Sequence, residues 1–310
     1  MKYIAELVDG EKFASQFLVA SMNKGVTNNG LQYLNIEFRD STGTIGAKKW
    51  EITPSDESLL VAGNIVYVEG ETLRYKDNLQ LKVMNIQPLE QDEIDITRFV
   101  KAPPIPKEEL IETLRSYVHK VQDEDFQKIL QYFIKEYKDK FFIYPAGVTV
   151  HHEYSSGLLV HVTTMLKLAE FIAPIYGDID LDLLYTGIIL HDLGKTIELD
   201  GVAVYHYTIE GKLLGHISLM NGELTKVLEK LGLKGEKFTL LKHLILAHHG
   251  QLEFGSPVLP LTKEAMLLSL IDNLDSKMVI VGKALETTKE GEFSQRIPPL
   301  DGRTMYKPNK

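Results

Sequence analysis

The sequence predicts a multi-domain fold with α and β parts: a small five-stranded β-barrel followed by an all-α domain. Three observations carry this. Residues 14–88 alternate apolar and polar positions with the period of a strand, residues 107–290 space them with the period of a helix, and an acidic, proline-rich stretch separates the two. A length of 310 residues, set against roughly 150 per domain, agrees with two units.

The barrel is read from five short runs rich in β-branched and aromatic residues: QFLVASMNK, LQYLNIEFRD, TIGAKKW, NIVYVEGE and LQLKVMNI. Turn signals such as Asn28-Asn29-Gly30 and Lys76-Asp77-Asn78 separate them, and the alternation is visible at Leu34, Ile36 and Phe38 and again at Leu79, Leu81 and Val83. Five strands in so short a span suit an OB-like barrel over residues 1–90, with an SH3-like barrel as the alternative. Residues 91–106 read as a linker, because Pro103, Pro104 and Pro106 preclude a regular helix there. From Lys107 the apolar positions fall at Leu110, Leu114, Tyr117 and Val118, then at Phe126, Ile129, Leu130 and Phe133, which is helical spacing. The helical domain is expected over 107–290, and the polar, proline-interrupted residues 291–310 as a surface extension.

Composition removes several function classes. With 44% hydrophobic and 25% charged residues the chain has the make-up of a soluble globular protein. No uninterrupted apolar run reaches the roughly 18 residues of a membrane span, and the first twenty residues lack the order of a secretory signal, so a cytoplasmic protein without a membrane partner is expected. The absence of cysteine rules out disulfides, thiol nucleophiles and Cys-ligated metals, leaving His, Asp and Glu as the strong ligands. A net charge of −9 argues against a general coating of polyanions. The long helical surface and the tail leave room for a homo-oligomer.

The residues that carry chemistry lie in the helical half, in the order His161, His191-Asp192, His216, His248-His249 and Asp272. Imidazole and carboxylate suit Mn, Fe, Co, Ni or Zn, and two such ions can clamp the attacking and leaving oxygens of a phosphate ester. His191-Asp192 closes the apolar helix LDLLYTGIIL, so both side chains reach one site only over the last turn. Lys195 lies on the same face and can pair with a carboxylate or meet a phosphate. His248-His249 repeats the arrangement before Gly250, a helix stop. Asp272 falls inside the apolar helix MLLSLIDNLDSKM, where an aspartate needs a partner. Any one of these histidines alone would be an ordinary hydrogen-bonded core residue. Seven together would make an unusually costly polar core unless they hold cations.

The order H…HD…H…HH…D resembles that of the HD-domain superfamily, in which binuclear members hydrolyse phosphate esters. That resemblance implies one ion on His161, His191, Asp192 and Asp272, with Asp192 bridging to a second on His216, His248 and His249. The fused barrel, with HHEYSSGLLVH, HDLGK, AHHGQLEFGSP and IDNLDSKM, is similar to the YhaM family of bacterial 3′-to-5′ exoribonucleases over nearly the whole chain. It implies a barrel that grips single-stranded RNA, or single-stranded DNA, and a helical domain that removes 3′-terminal nucleotides with two divalent ions, usually Mn²⁺ or Co²⁺; Fe²⁺, Ni²⁺ and Zn²⁺ suit the same ligands. Ser156 departs from the pattern, which expects a glycine there.

On the barrel, Tyr33, Phe38, Trp50, Tyr67 and Tyr75 are the candidate stacking residues and Lys48, Lys49, Arg74, Lys76 and Lys82 the candidate backbone contacts; aromatic residues in a small barrel are otherwise mostly core. Lys48-Lys49-Trp50, Tyr33 and Arg74 form the preferred set, with His151 and His152 added from the loop ahead of the helix that carries His161. Catalysis is assigned to Asp192 and Lys195. The rivals are a phosphodiesterase or nucleotidase for small nucleotides and a non-catalytic nucleic-acid-binding regulator. The fused barrel and the GSP at 255–257, where the cyclic-dinucleotide branch has GYP, weigh against the first. A complete ligand set weighs against the second.

Overall fold

A computed structural model describes all residues except 28, 77, 91–92, 96–97, 101–102, 147–154, 202–204 and 310. The chain divides into two compact units. One takes Met1–Ala102 with Gly201–His206, and the other Pro103–Asp200 with Tyr207–Lys310.

The first unit is a closed five-stranded barrel with strand order β1-β2-β3-β5-β4. Its strands are β1 (Lys12–Val26), β2 (Gln32–Asp40), β3 (Gly43–Trp50), β4 (Ile65–Tyr75) and β5 (Asn78–Pro88). All pairs are antiparallel except β3 with β5, and this order is that of an OB-fold. The period-two pattern explains closure. Leu34, Ile36 and Phe38 of β2, Ile45 and Ala47 of β3, and Leu81 and Val83 of β5 all point inward and are buried with Phe17, Val66 and Val68. A short helix α1 (Pro54–Leu59) follows β3, started by a reciprocal cap: Thr53 N–H donates to Asp56 Oδ2 and Asp56 N–H to Thr53 Oγ1.

The barrel unit runs further than residue 90. Phe99 is 1% exposed and packs with Leu18, the backbone N–H of Ser41 donates to the Arg98 carbonyl, and Gln16 donates to the Glu93 carbonyl. Much of the stretch read as a linker therefore belongs to the barrel. Its apolar content, Ile94, Phe99 and Val100, is what holds it there.

The second unit contains α2 (Lys107–Lys120), α3 (Glu124–Phe141), α4 (Gly157–Tyr176), α5 (Leu181–Leu190), α6 (Lys195–Glu198), α7 (Ile209–Leu231), α8 (Glu236–Ala247) and α9 (Lys263–Glu286). Several begin where a side chain satisfies an otherwise unpaired N–H: Asp123 caps α3, Asp180 caps α5, Thr208 caps α7 and Thr262 caps α9. Helix α5 is apolar all round, and α2, α3, α4, α8 and α9 pack about it. Each fully buried Leu or Ile contributes about 1.5–3 kcal/mol, so Leu184, Ile188 and Leu190 help offset the polar groups that follow them. Helix α4 is long and apolar enough by length and composition to cross a membrane, although Lys167 and Glu170 interrupt its apolar run. It is a core helix here, with His161 buried along its length.

Residues 291–309 fold back instead of trailing away. Isolated bridges join Phe293 to Tyr306 and Ile297 to Arg303, Ile297 and Leu300 are buried, and Lys307 Nζ donates to the carbonyls of Leu285 and Thr288 at the end of α9.

Candidate functional site

The buried helix ends converge on Asp192. His191 caps α5 and His248 caps α8, and each uses the same local device: Nδ1 lies 2.7 Å from the carbonyl three residues back, Ile188 and Ile245 respectively. A carbonyl only accepts, so Nδ1 carries the proton and Nε2 presents its lone pair beyond the helix end. His249 does the same with the Phe254 carbonyl at 2.6 Å. His216 reaches the site through a break in α7 at Gly215, whose φ of +70° is a left-handed conformation that glycine tolerates. Its backbone N–H donates to Glu198 Oε1 at 3.1 Å, and its Nδ1 lies 3.4 Å from the same oxygen. His161 Nδ1 lies 2.6 Å from Asp275 Oδ2.

The two oxygens of Asp192 face different sets of rings. Oδ2 lies 3.8 Å from His161 Nε2 and 3.5 Å from His191 Nε2, whereas Oδ1 lies 3.3 Å from His216 Nε2 and 3.6 Å from His248 Nε2. Three groups have ligand atoms close enough to share an ion: Asp192 with His216, His248 and His249; His161 with His191 and Asp192; and His191 with His248 and Asp272. Asp272 Oδ1 is 3.3 Å from His161 Nε2. Among the described residues, Nε2 of His191, His216 and His248 and Oδ1 of Asp192 are buried and make no hydrogen bond. Leaving so many polar atoms unpaired is expensive, and nitrogen and carboxylate oxygen are the donors that a divalent transition metal takes. The residues present fit a metal site.

Electrostatics agree with that use. Burial, followed by the charges of His191 and His249, holds His248 well below its ordinary pKa, and burial with His216 lowers His249, so both rings stay neutral. Burial pushes Asp192 up, but Lys195 and His191 outweigh it and keep the carboxyl well below the usual range. Asp272 is likewise lowered against burial by His161. His161 is the exception: burial lowers it, but its bonds to Asp272 and Asp275 outweigh burial and raise it to about 10, so binding a cation at its Nε2 displaces a proton. Lys195 Nζ is 2.6 Å from Asp192 Oδ2 and the residue is 9% exposed, so it orients the carboxylate.

The structure thus gathers His161, His191, Asp192, His216, His248, His249 and Asp272, with Lys195, in one largely buried cluster. Asp275 and Glu198, which back the rings of His161 and His216, were not found from the sequence. The faint signal was spacing: Asp275 lies three residues after Asp272, and Glu198 three after Lys195. His151 and His152 lie outside the described residues. Ser156 has φ +62°, the left-handed region that favours glycine, and its hydroxyl donates to the Phe142 carbonyl at 2.7 Å.

On the barrel, Tyr33 and Trp50 are directly paired across β2 and β3, with ring centroids 4.9 Å apart. Lys48 Nζ lies 4.8 Å from the Tyr33 ring centre and 5.9 Å from that of Tyr75. The Tyr33 ring lies against Gly25 of β1, where a Cβ would collide with it. Lys82 pairs with Lys48 and is exposed. One assignment, Lys49, needs correction, whereas Arg74 stays exposed. Lys49 is one step out of phase with Lys48 and Trp50, so it points inward, is 7% exposed and sits 3.7 Å from Asp56. Arg74 alternates away from Tyr75 and pairs with Asp9 at 3.7 Å. Phe38, also considered for stacking, is core.

An HD domain model matches residues 158–277. The chain is 44% identical to the 3′-5′ exoribonuclease YhaM of Geobacillus sp. (strain WCH70), over 96% of this chain and 93% of that protein. It is 45% identical to the protein of the same name from Bacillus velezensis and 44% to that from Bacillus subtilis (strain 168), each over 96% of both chains. Among solved structures, the second OB-fold domain of replication protein A from Methanococcus maripaludis covers 29% of this chain and 95% of its own, at 21% identity and a TM-score of 0.25.

Proposed function

Because this chain belongs to the YhaM family, we propose that it is a metal-dependent 3′-to-5′ exoribonuclease that hydrolyses single-stranded RNA, with single-stranded DNA as a further substrate. The observation that carries the chemistry is Asp192, whose two oxygens face two separate sets of imidazoles. Two divalent ions, with Mn²⁺ the leading choice, would supply Lewis-acid stabilisation of the phosphate and activation of water. His161, His191 and Asp272 would hold one with Asp192, and His216, His248 and His249 the other. Lys195 keeps the Asp192 carboxylate ionised and aligned. The buried apolar side chains of α5 and α8 around the site strengthen each of these interactions.

The Tyr33–Trp50 pair, flanked by Lys48, Tyr75 and Lys82, supports the barrel as the strand-binding surface. Rings supply stacking faces that tolerate any base, and lysines attract the phosphates. The outer face of strands 2 and 3 is where OB-folds bind oligonucleotides. An RNA substrate in turn favours the cytoplasm as the place of work.

The test is release of mononucleotides from 5′-labelled single-stranded RNA, before and after removing divalent ions with a chelator, for the natural chain and Asp192→Asn. The proposal expects stepwise shortening from the 3′ end that the chelator and the substitution both abolish, with RNA binding retained and folding checked by melting. Full activity of Asp192→Asn refutes the assignment. Hydrolysis of small cyclic nucleotides in place of RNA would favour the rival phosphodiesterase.

A further inference from the structure

Asp275 belongs to none of the ligand groups, yet it is buried beside them. It lies one turn beyond Asp272 on α9, and its Oδ2 is 2.6 Å from His161 Nδ1, while Asp272 Oδ1 is 3.3 Å from Nε2 of the same ring. One helix therefore grips this imidazole from both sides. The other rings are braced differently. Nδ1 of His191, His248 and His249 meets neutral backbone carbonyls, and His216 meets a carboxylate only at 3.4 Å.

We propose that Asp275 is a positioning residue for the metal centre: it holds His161 in the tautomer that presents Nε2 to the ion and makes that nitrogen a stronger donor than its neighbours. The inference rests on the metal reading above. A hydrogen bond to an ionised acceptor is roughly twice as strong as one to a neutral acceptor, and among these four rings only His161 meets a carboxylate at 2.6 Å. A carboxylate behind a ligating imidazole raises its basicity and fixes its plane. Burying a carboxylate is costly, and a purely structural role would be served as well by the backbone carbonyls that three other rings use.

The test titrates metal-free protein with Mn²⁺ by calorimetry and with Co²⁺ by visible absorption. Asp275→Asn is compared with the natural chain and with Asn273→Ala, an exposed position on the same helix. The tightest Mn²⁺ step should weaken about 10–100-fold in Asp275→Asn and the Co²⁺ band should shift. Asn273→Ala should match the natural chain in both. Unchanged affinity and an unchanged Co²⁺ band overturn the proposal, as does a lowered melting temperature with affinity intact. Should Asp275→Asn fail to fold, Asp275→Glu, which keeps the charge but displaces the oxygen, carries the same comparison. A natural chain that takes up no metal refutes the metal reading itself, a separate result.

Discussion

At the scale of single residues, the decisive contact is Lys195 to Asp192. A buried carboxylate among five imidazoles has several competing directions, and the 2.6 Å bond from Lys195 selects one. Lys195→Met should lower turnover about 100-fold, the usual cost of a misplaced reacting group, without changing RNA affinity. Single-turnover kinetics beside a binding isotherm checks this, and undiminished turnover would remove Lys195 from the account. Ser156 supplies a second prediction. Glycine there would relieve a left-handed conformation costing about 1–2 kcal/mol. It would also lose a hydroxyl bond worth about 0.5–1.5 kcal/mol. Ser156→Gly should therefore alter stability by no more than about 1.5 kcal/mol, as read by urea unfolding.

Residues also mark what was legible. The seven His and Asp side chains stood out because their types are expensive among apolar helix residues, a one-dimensional signal. Asp275 and Glu198 did not stand out, because which carboxylate lies behind which ring depends on how α4 meets α9 and how α6 meets α7. Lys49, next to Trp50 in sequence, looks like a charge beside a stacking ring, but the strand's own alternation turns it toward Asp56.

At the scale of elements, helix ends do the positioning. Two helices finish on a histidine whose ring folds back on its own last turn, so the ligand direction is set locally. Helix starts contribute stability. Asp123 caps α3 and binds Lys237 of α8, and although burial pushes its carboxyl up, the Lys237 and Phe126 N–H bonds win and lower it. A lowered folded pKa means that the contribution is present above the unfolded value of about 4 and disappears as pH falls through the folded one. Asp123→Ala should cost about 1 kcal/mol at pH 7, and the difference from the natural chain should shrink below about pH 4. Urea unfolding across that range measures it; a difference that stays constant would contradict the linkage. The β2–β3 face carries its own prediction. Trp50→Ala should weaken single-stranded RNA binding by about 1–3 kcal/mol, since a stacking ring and its neighbour Tyr33 are disturbed together. Fluorescence anisotropy with a labelled oligonucleotide decides it, and unchanged affinity would place the strand elsewhere.

At the scale of the whole molecule, the division into barrel and helical units was readable because the apolar period changes from two to 3.6 near residue 107. The boundary was less so. Pro and acidic residues suggested a linker from 91, but Phe99 docks on Leu18, a long-range contact with no local signature. The tail misled for the same reason: Ile297 and Leu300 are few among polar residues, yet they are buried, and Lys307 caps α9 from far along the chain. The proposed activity draws on both units, the barrel for the single strand and the His/Asp cluster for the phosphodiester. The central claim is that Asp192 joins two cations, each held by its own set of imidazoles. Anomalous diffraction from Mn²⁺-loaded crystals tests it most directly. Two peaks roughly 3.5–4 Å apart are expected, one beside each oxygen of Asp192. A pocket with no peak there, or with the ions bound elsewhere, would contradict it.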